Sequence, residues 1–527
     1  MEAVSAADLQ ALLLAQEEVA VLDPREEGAY SIQPHLFHAV NLPLSSLELR
    51  LATLLPKRRT RIVIASDAED GLAERMSLRL AELGYDQVQV LSGGCQAFAA
   101  LGLPLFTGFN TASKAFGEFV EQDCHTPSLG PHELQERLRR GDNLVIVDSR
   151  TPDEHHRGTI PGSRSVPGAE LALRACDFAP DPTTTIVVNC AGRTRSIIGA
   201  QSLIDAAVPN PVMALRDGTM GWRLAGYQIE TRSARDTRDL SSQARTQAGA
   251  KAAALRARHR LTRIDWATCE TWLADAAGPI CYLFDVRMSQ EYLAGHPRHA
   301  AHAPGGQLIQ ATDTYVAARS ARIVLYDDLG LRAAMTAAWL RQMGYVHVYI
   351  LDADDAAIPM EAGPTPRQVV GLEPAPALAP ADVRAMGAAA ELIDLAPSRD
   401  YTAGHAAGAW WAVRSRLAAC LAKVPPSAVT VLTSPDGTLA QLAWRDAAAM
   451  RSGQVVVLAG GTHAWRQQGL PLGSGEQRMT CIVDDAFVKP FEAKDVQASM
   501  RSYLEWEVNL LESVRCDPSI RFSRTAG

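Results

Sequence analysis

The sequence predicts an α/β protein built from four tandem units, each a mainly parallel sheet flanked by helices, followed by a C-terminal helical tail. Three observations predict it. Four short apolar strands end in aspartate, at Asp23, Asp148, Asp285 and Asp394. Each is followed by a second strand rich in β-branched residues, over 61–65, 185–189, 322–326 and 429–433. A helical segment and a third strand then close each unit, over 88–94, 212–218, 346–351 and 455–461. Strands separated by helices pair in parallel, because the crossover needs the length of a helix. The units fall at 1–108, 125–231, 258–362 and 375–473, and the tail at 474–527.

Composition narrows the class. A chain of 527 residues is too long for one core. Its 47% hydrophobic and 21% charged residues are those of a globular protein. A net charge of −8 argues against a nucleic-acid surface. No stretch approaches the ~20 apolar residues of a membrane span. The opening residues 1–8 carry no basic segment, and 11–15 is too short for a signal sequence. Nine cysteines without a C-x-x-C pair speak against a zinc ribbon or a disulfide scaffold. The expected compartment is a reducing cytoplasm, with no metal and no cofactor.

Within the units, Asp23-Pro-Arg25, Asp148-Ser-Arg150 and Asp285-Val-Arg287 repeat one pattern, and the fourth unit has Ala396 in place of the arginine. About ten residues on come Gly158-Thr-Ile-Pro-Gly162, Gly295-His296 and Gly404-His405, with the looser Gln33-Pro-His35 in the first unit. The second strands end at Ser66, Cys190, Asp327 and Ser434, or at Thr433 if the fourth alignment slips. The fourth loop reads one residue shorter than the others. Residues 233–260 are expected to be a helical or partly disordered connector, and 363–380 an extended spacer. Residues 493–514 read as an amphipathic helix that needs a partner surface.

The chemistry concentrates after the second strand of unit two, in Cys190-Ala191-Gly192-Arg193-Thr194-Arg195. A cysteine there sits where loop N–H groups and a helix N-terminus converge, and both favour a thiolate. Arg193 is the expected contact to an anionic substrate, and Arg195 the organiser of the loop. Asp148 and Arg150 are expected to brace the strand end. His155, His156 and Arg157 are candidates for a pocket rim with surface exposure as the default, and Trp222 for packing. Cys95 lies at a closing turn, away from any loop.

Together, the Asp-x-Arg, the Gly-x-Ile-Pro-Gly segment, the strand–Cys–loop–helix and the Gly-Gly…Ala-Trp ending resemble the rhodanese family, repeated four times. The resemblance implies a sulfurtransferase that carries a persulfide sulfur on Cys190, with units one, three and four catalytically silent. It implies an anionic donor such as thiosulfate or glutathione persulfide. The implied acceptor is a thiol, a reductant, a protein cysteine or, in an assay, cyanide. Homo-oligomerisation is left open. One rival is a cysteine phosphatase or arsenate reductase, whose Cys-x5-Arg loop is one residue longer than this one. A second is a non-enzymatic scaffold of binding modules.

Overall fold

A computed structural model of the protein describes residues 2–66, 71–236 and 239–524. The residues that follow Ser66 in the first unit's loop, 67–70, lie outside this range, as do 237–238 of the connector.

Four sheets share one strand order. In unit two it runs Ser128–Leu129, Val212–Leu215, Thr185–Asn189, Leu144–Asp148 and Arg164–Ser165, with every neighbour parallel. The central strands are apolar on both sides because helices cover both faces. Ile186, Val187 and Val188 are fully buried. The fourth unit repeats this order with Ala377–Leu378, Gln454–Leu458, Val429–Thr433, Ala390–Asp394 and Trp410–Trp411.

The units are not beads on a string. The two-residue strand Ala318–Arg319 of unit three pairs antiparallel with Val19 and Ala20 of unit one, extending that sheet across the unit boundary. Units two and three meet through buried Arg332, whose Nη1 donates to Glu170 Oε1 at 2.8 Å. Trp339 Nε1 donates to Ser202 Oγ across the same boundary. Gly306 approaches the Gly168 backbone so closely that a Cβ would lie 3.1 Å from its nitrogen. Units one and four meet through Arg414, bidentate to buried Glu48 at 2.6 and 2.9 Å. One hydrophobic core joins Leu51, Phe116, Ile197, Leu255 and Trp339, from three units and two connectors.

Ser242–His259 is a helix. Thr111–Cys124, between units one and two, is a helix that the strand-based reading passes over. Its sequence carries the signal: Ala112, Ala115, Phe116, Phe119 and Val120 stand at helical spacing. The tail helix Val496–Val514 packs on this helix, with Leu510, Leu511 and Val514 against Ala115 and Phe106. That is the partner surface the amphipathic pattern calls for. No helix among the described residues is long and apolar enough to cross a membrane.

Candidate active site around Cys190

Asp148 pairs in register with Asn189, so Cys190 is the first residue beyond the strand. It is buried, and its thiol donates to Ser196 Oγ at 3.5 Å. Ser196 in turn donates to the Arg193 carbonyl at 2.8 Å. The Cys190 and Ala191 carbonyls accept the N–H groups of Thr219 and Met220 at 2.8 and 3.0 Å, from the first turn of the helix Gly218–Leu224. Gly218 permits that approach. It has φ +53°, and a Cβ there would lie 2.4 Å from the Cys190 oxygen. With the carbonyls held from behind, the N–H groups of residues 191–195 donate to no protein acceptor among the described residues. Such a run of free donors at a helix start is an anion cradle.

The two loop arginines are tied down. Arg193 Nε and Nη2 donate to Glu118 at 2.7 and 2.9 Å, Nη2 also meets Glu121, and Nη1 reaches Asp217 at 3.0 Å. With three carboxylates around it, the Arg193 expected to contact substrate also fastens the loop to the Thr111–Cys124 helix, while still lining the cavity. Burial raises the Glu118 carboxyl, and Arg193 offsets only part of that. Arg195 forms a bidentate pair with Glu154 at 2.8 and 2.9 Å. Burial acts to raise the Glu154 carboxyl, but Arg195 outweighs it and holds the group well below the usual carboxylate range.

Asp148 and Arg150 form the brace read from the repeat. Arg150 donates to both Asp148 oxygens, at 2.8 and 2.6 Å, and to the Gly158 carbonyl at 2.6 Å. Thr159 and Asn189 complete the Asp148 shell. His155 is buried against Ser163 and does not reach the rim, whereas Arg157 does. Trp222 packs in the core, with its N–H on the Gln228 carbonyl.

Cys190 opens into a cavity of about 700 Å³ whose walls come from every part of the chain. Phe109 and Lys114 follow unit one, Gln307 and Gln310 belong to unit three, Arg399 to unit four, and Phe487, Phe491 and Tyr503 to the tail. The tail touches the loop directly: a Cβ on Gly192 would meet Glu507 at 3.0 Å and Tyr503 at 3.6 Å. Glu507 accepts Thr194 Oγ1 at 3.4 Å and pairs with Lys114 at 3.4 Å. None of these wall residues was legible as functional, because no motif marks a contact made across hundreds of residues. Among the described residues, no group of three His, Cys, Asp or Glu side chains could hold a metal ion.

The equivalent loops of units three and four follow strands in the same register. Thr433 pairs with Asp394 as Asn189 pairs with Asp148, which puts Ser434 at the cysteine position and excludes Thr433. Thr462 N–H donates to the Ser434 carbonyl at 2.9 Å, as Thr219 does to Cys190. The fourth loop is not shorter: Gln441 N–H reaches Gly437 with the same offset as Ile197 N–H to Arg193. In unit three, Asp327 fills the cradle with its own carboxylate. It accepts N–H groups from Leu329, Arg332 and Ala333 and the Arg332 guanidinium.

Repeated sheets of this order with one cysteine-bearing loop define a rhodanese-type protein. The rhodanese-like domain model matches residues 5–101, 130–225 and 270–354, more than half of the chain, which belongs to the rhodanese-like sulfurtransferase family. The fourth unit lies outside the matched residues although its strand order is the same. The crystal structure of a thiosulfate sulfurtransferase from Pseudomonas aeruginosa is similar over 99% of both chains, with 40% identity and a TM-score of 0.96. A sulfurtransferase of Allochromatium vinosum is 27% identical over 101 residues, covering 19% of this chain and 92% of its own length. An HTH-type transcriptional regulator of Mycobacterium tuberculosis is 33% identical over 94 residues, or 18% of this chain, and the match spans 41% of the regulator.

Proposed function

We propose that Cys190 takes a sulfane sulfur from an anionic donor, thiosulfate or a related persulfide, and passes it to a thiophilic acceptor such as cyanide or a thiol. The Cys190 thiolate attacks the outer sulfur of thiosulfate. A new sulfur–sulfur bond forms as the old one breaks, and sulfite leaves with the electron pair. An acceptor thiolate or cyanide then attacks the outer sulfur of the persulfide and returns Cys190 as thiolate. The free N–H groups of the loop receive the negative charge carried by the nucleophile and the persulfide.

The observation that carries this reading is the contrast among the loops. One cradle presents a thiol and keeps its N–H groups free, while the others hold serine or aspartate. A phosphatase reading is disfavoured by the loop itself, whose last arginine is locked on Glu154. Incubation with thiosulfate is expected to add one sulfur, about 32 Da, to Cys190, seen by intact-mass spectrometry and absent from Cys190→Ser. An adduct that survives in the variant would sink the assignment. Partner capture unchanged by Cys190→Ser, in a wild type without sulfur transfer, would favour the scaffold reading.

A further inference from the structure

Both loop arginines are neutralised by carboxylates, so the charge that reads an anionic substrate lies elsewhere. We infer that Arg223 and Lys489, assisted by Arg157, form the anion-reading rim of the cavity, and that the tail segment carrying Lys489 is part of the substrate site. This rests on the reading of Cys190 as the sulfur carrier.

The argument is one of elimination within the cavity. Lys114, Arg150, Arg193, Arg195 and Arg399 all line it, and each has a carboxylate partner: Glu507, Asp148, Glu118, Glu154 and Glu492. Arg157, Arg223 and Lys489 also line it, and among the described residues none of the three forms an ion pair. The remaining lining carboxylate, Glu27, accepts the Phe487 N–H at 3.4 Å. Among the lining residues themselves, eight cations stand against the three carboxylates Glu27, Glu154 and Glu492, in a protein whose net charge is −8.

Their placement suits the task. Arg223 lies in the last turn of the helix whose first turn holds the Cys190 and Ala191 carbonyls, so its backbone is fixed relative to the nucleophile. Its guanidinium stacks on the Phe491 ring, 5.3 Å from the centroid, a contact that orients the cation without neutralising it. Phe491 packs with Met220, Met500 and Leu504, the cluster that seats the tail over the loop. Lys489 lies two residues before Phe491, at the start of the turn Pro490–Glu492, where its N–H donates to Glu492 at 3.2 Å. Docking of the tail thus brings one cation of its own and positions a second. The cradle would hold the reacting sulfur and the rim the charged end of the donor.

The test uses two alkylating probes of one chemistry and different charge. Iodoacetate and iodoacetamide both modify the Cys190 thiolate, but only iodoacetate is an anion. In the Arg223→Gln/Lys489→Gln variant, the ratio of iodoacetate to iodoacetamide rates at Cys190 is expected to fall about tenfold at low salt and less at high salt. The iodoacetamide rate itself should hold, which shows that the loop is intact, and Lys489→Arg should keep the wild-type ratio. With thiosulfate, KM should rise while kcat stays near the wild-type value. An unchanged alkylation ratio overturns the inference. If the ratio falls while thiosulfate fails to add sulfur even to the wild type, the rim stands and the sulfurtransfer reading fails.

Discussion

The Cys190 loop of unit two and the Asp327 loop of unit three occupy equivalent places in two neighbouring sheets, and they differ in what fills them. In unit three the Asp327 carboxylate sits among three backbone N–H groups and the Arg332 guanidinium, so the cradle displays its preferred occupant permanently. In unit two a thiol stands there and the N–H groups stay free. The difference teaches that one backbone cradle is filled by its own carboxylate in unit three and left open beside a thiol in unit two, which is the contrast the proposed sulfur transfer at Cys190 rests on. It also shows what happens to the positive charge. Arg332 points inward, to Asp327 and across to Glu170, and ties two units together. Arg193 points outward, to Glu118 and Glu121, and ties its loop to the Thr111–Cys124 helix.

Four substitutions probe this contrast. Asp327→Asn breaks the filled cradle and leaves Arg332 short of a buried partner, for an expected loss of about 3 kcal/mol in denaturant unfolding at neutral pH. Arg332 overrides the effect of burial and holds the Asp327 carboxyl below its ordinary range. That stabilisation is present above the unfolded carboxylate pKa and is lost as pH falls through the folded one, so the gap between variant and wild type should close in acid. Sulfur transfer at Cys190 should survive in the protein that remains folded.

Arg193→Ala leaves Glu118 and Glu121 unpaired and is expected to cost about 2 kcal/mol. It should slow Cys190 alkylation by charged and neutral reagents to the same degree. Slowing confined to the anionic reagent would return Arg193 to the role of substrate contact.

The smallest effect concerns the brace. In unit four, Ala396 replaces the arginine, and burial pushes the Asp394 carboxyl up to about 6. Above that pH the charged form is buried at a cost that vanishes as pH falls toward the unfolded value. Asp394→Asn removes the charge, so it should stabilise by about 1–2 kcal/mol at pH 7.5 and by nothing at pH 4. Thermal melts at the two pH values read the difference. The same change at Asp148 should destabilise, because Arg150 is there to lose its partner.

Much of the fold was written locally. Strands ending at Asp23, Asp148, Asp285 and Asp394, and turns such as that at Gly218, have signatures within a few residues, because backbone conformation and two-face burial are short-range demands. The loop was legible for the same reason: a strand, a cysteine and a helix start lie within fifteen residues. The fourth loop's length was misjudged because sequence spacing hides where a helix begins, which the Gln441 to Gly437 bond reveals.

The role of Arg193 was not legible, and neither were the cavity walls. From its own loop Arg193 is a cation beside a nucleophile, and nothing nearby announces Glu118 or Glu121. Lys114, Arg223, Lys489 and Tyr503 carry no motif at all. The chain alone pointed to four related sheets, one cysteine at the strand–loop junction and the backbone cradle around it, since each follows from neighbouring residues. Folding in three dimensions settled, among the described residues, which cavity charges are paired away and which are not, and that units three and four and the tail wall the cavity at Cys190. Those outcomes depend on distances between residues far apart in sequence, and a Coulomb pair leaves no trace in spacing until the chain is packed.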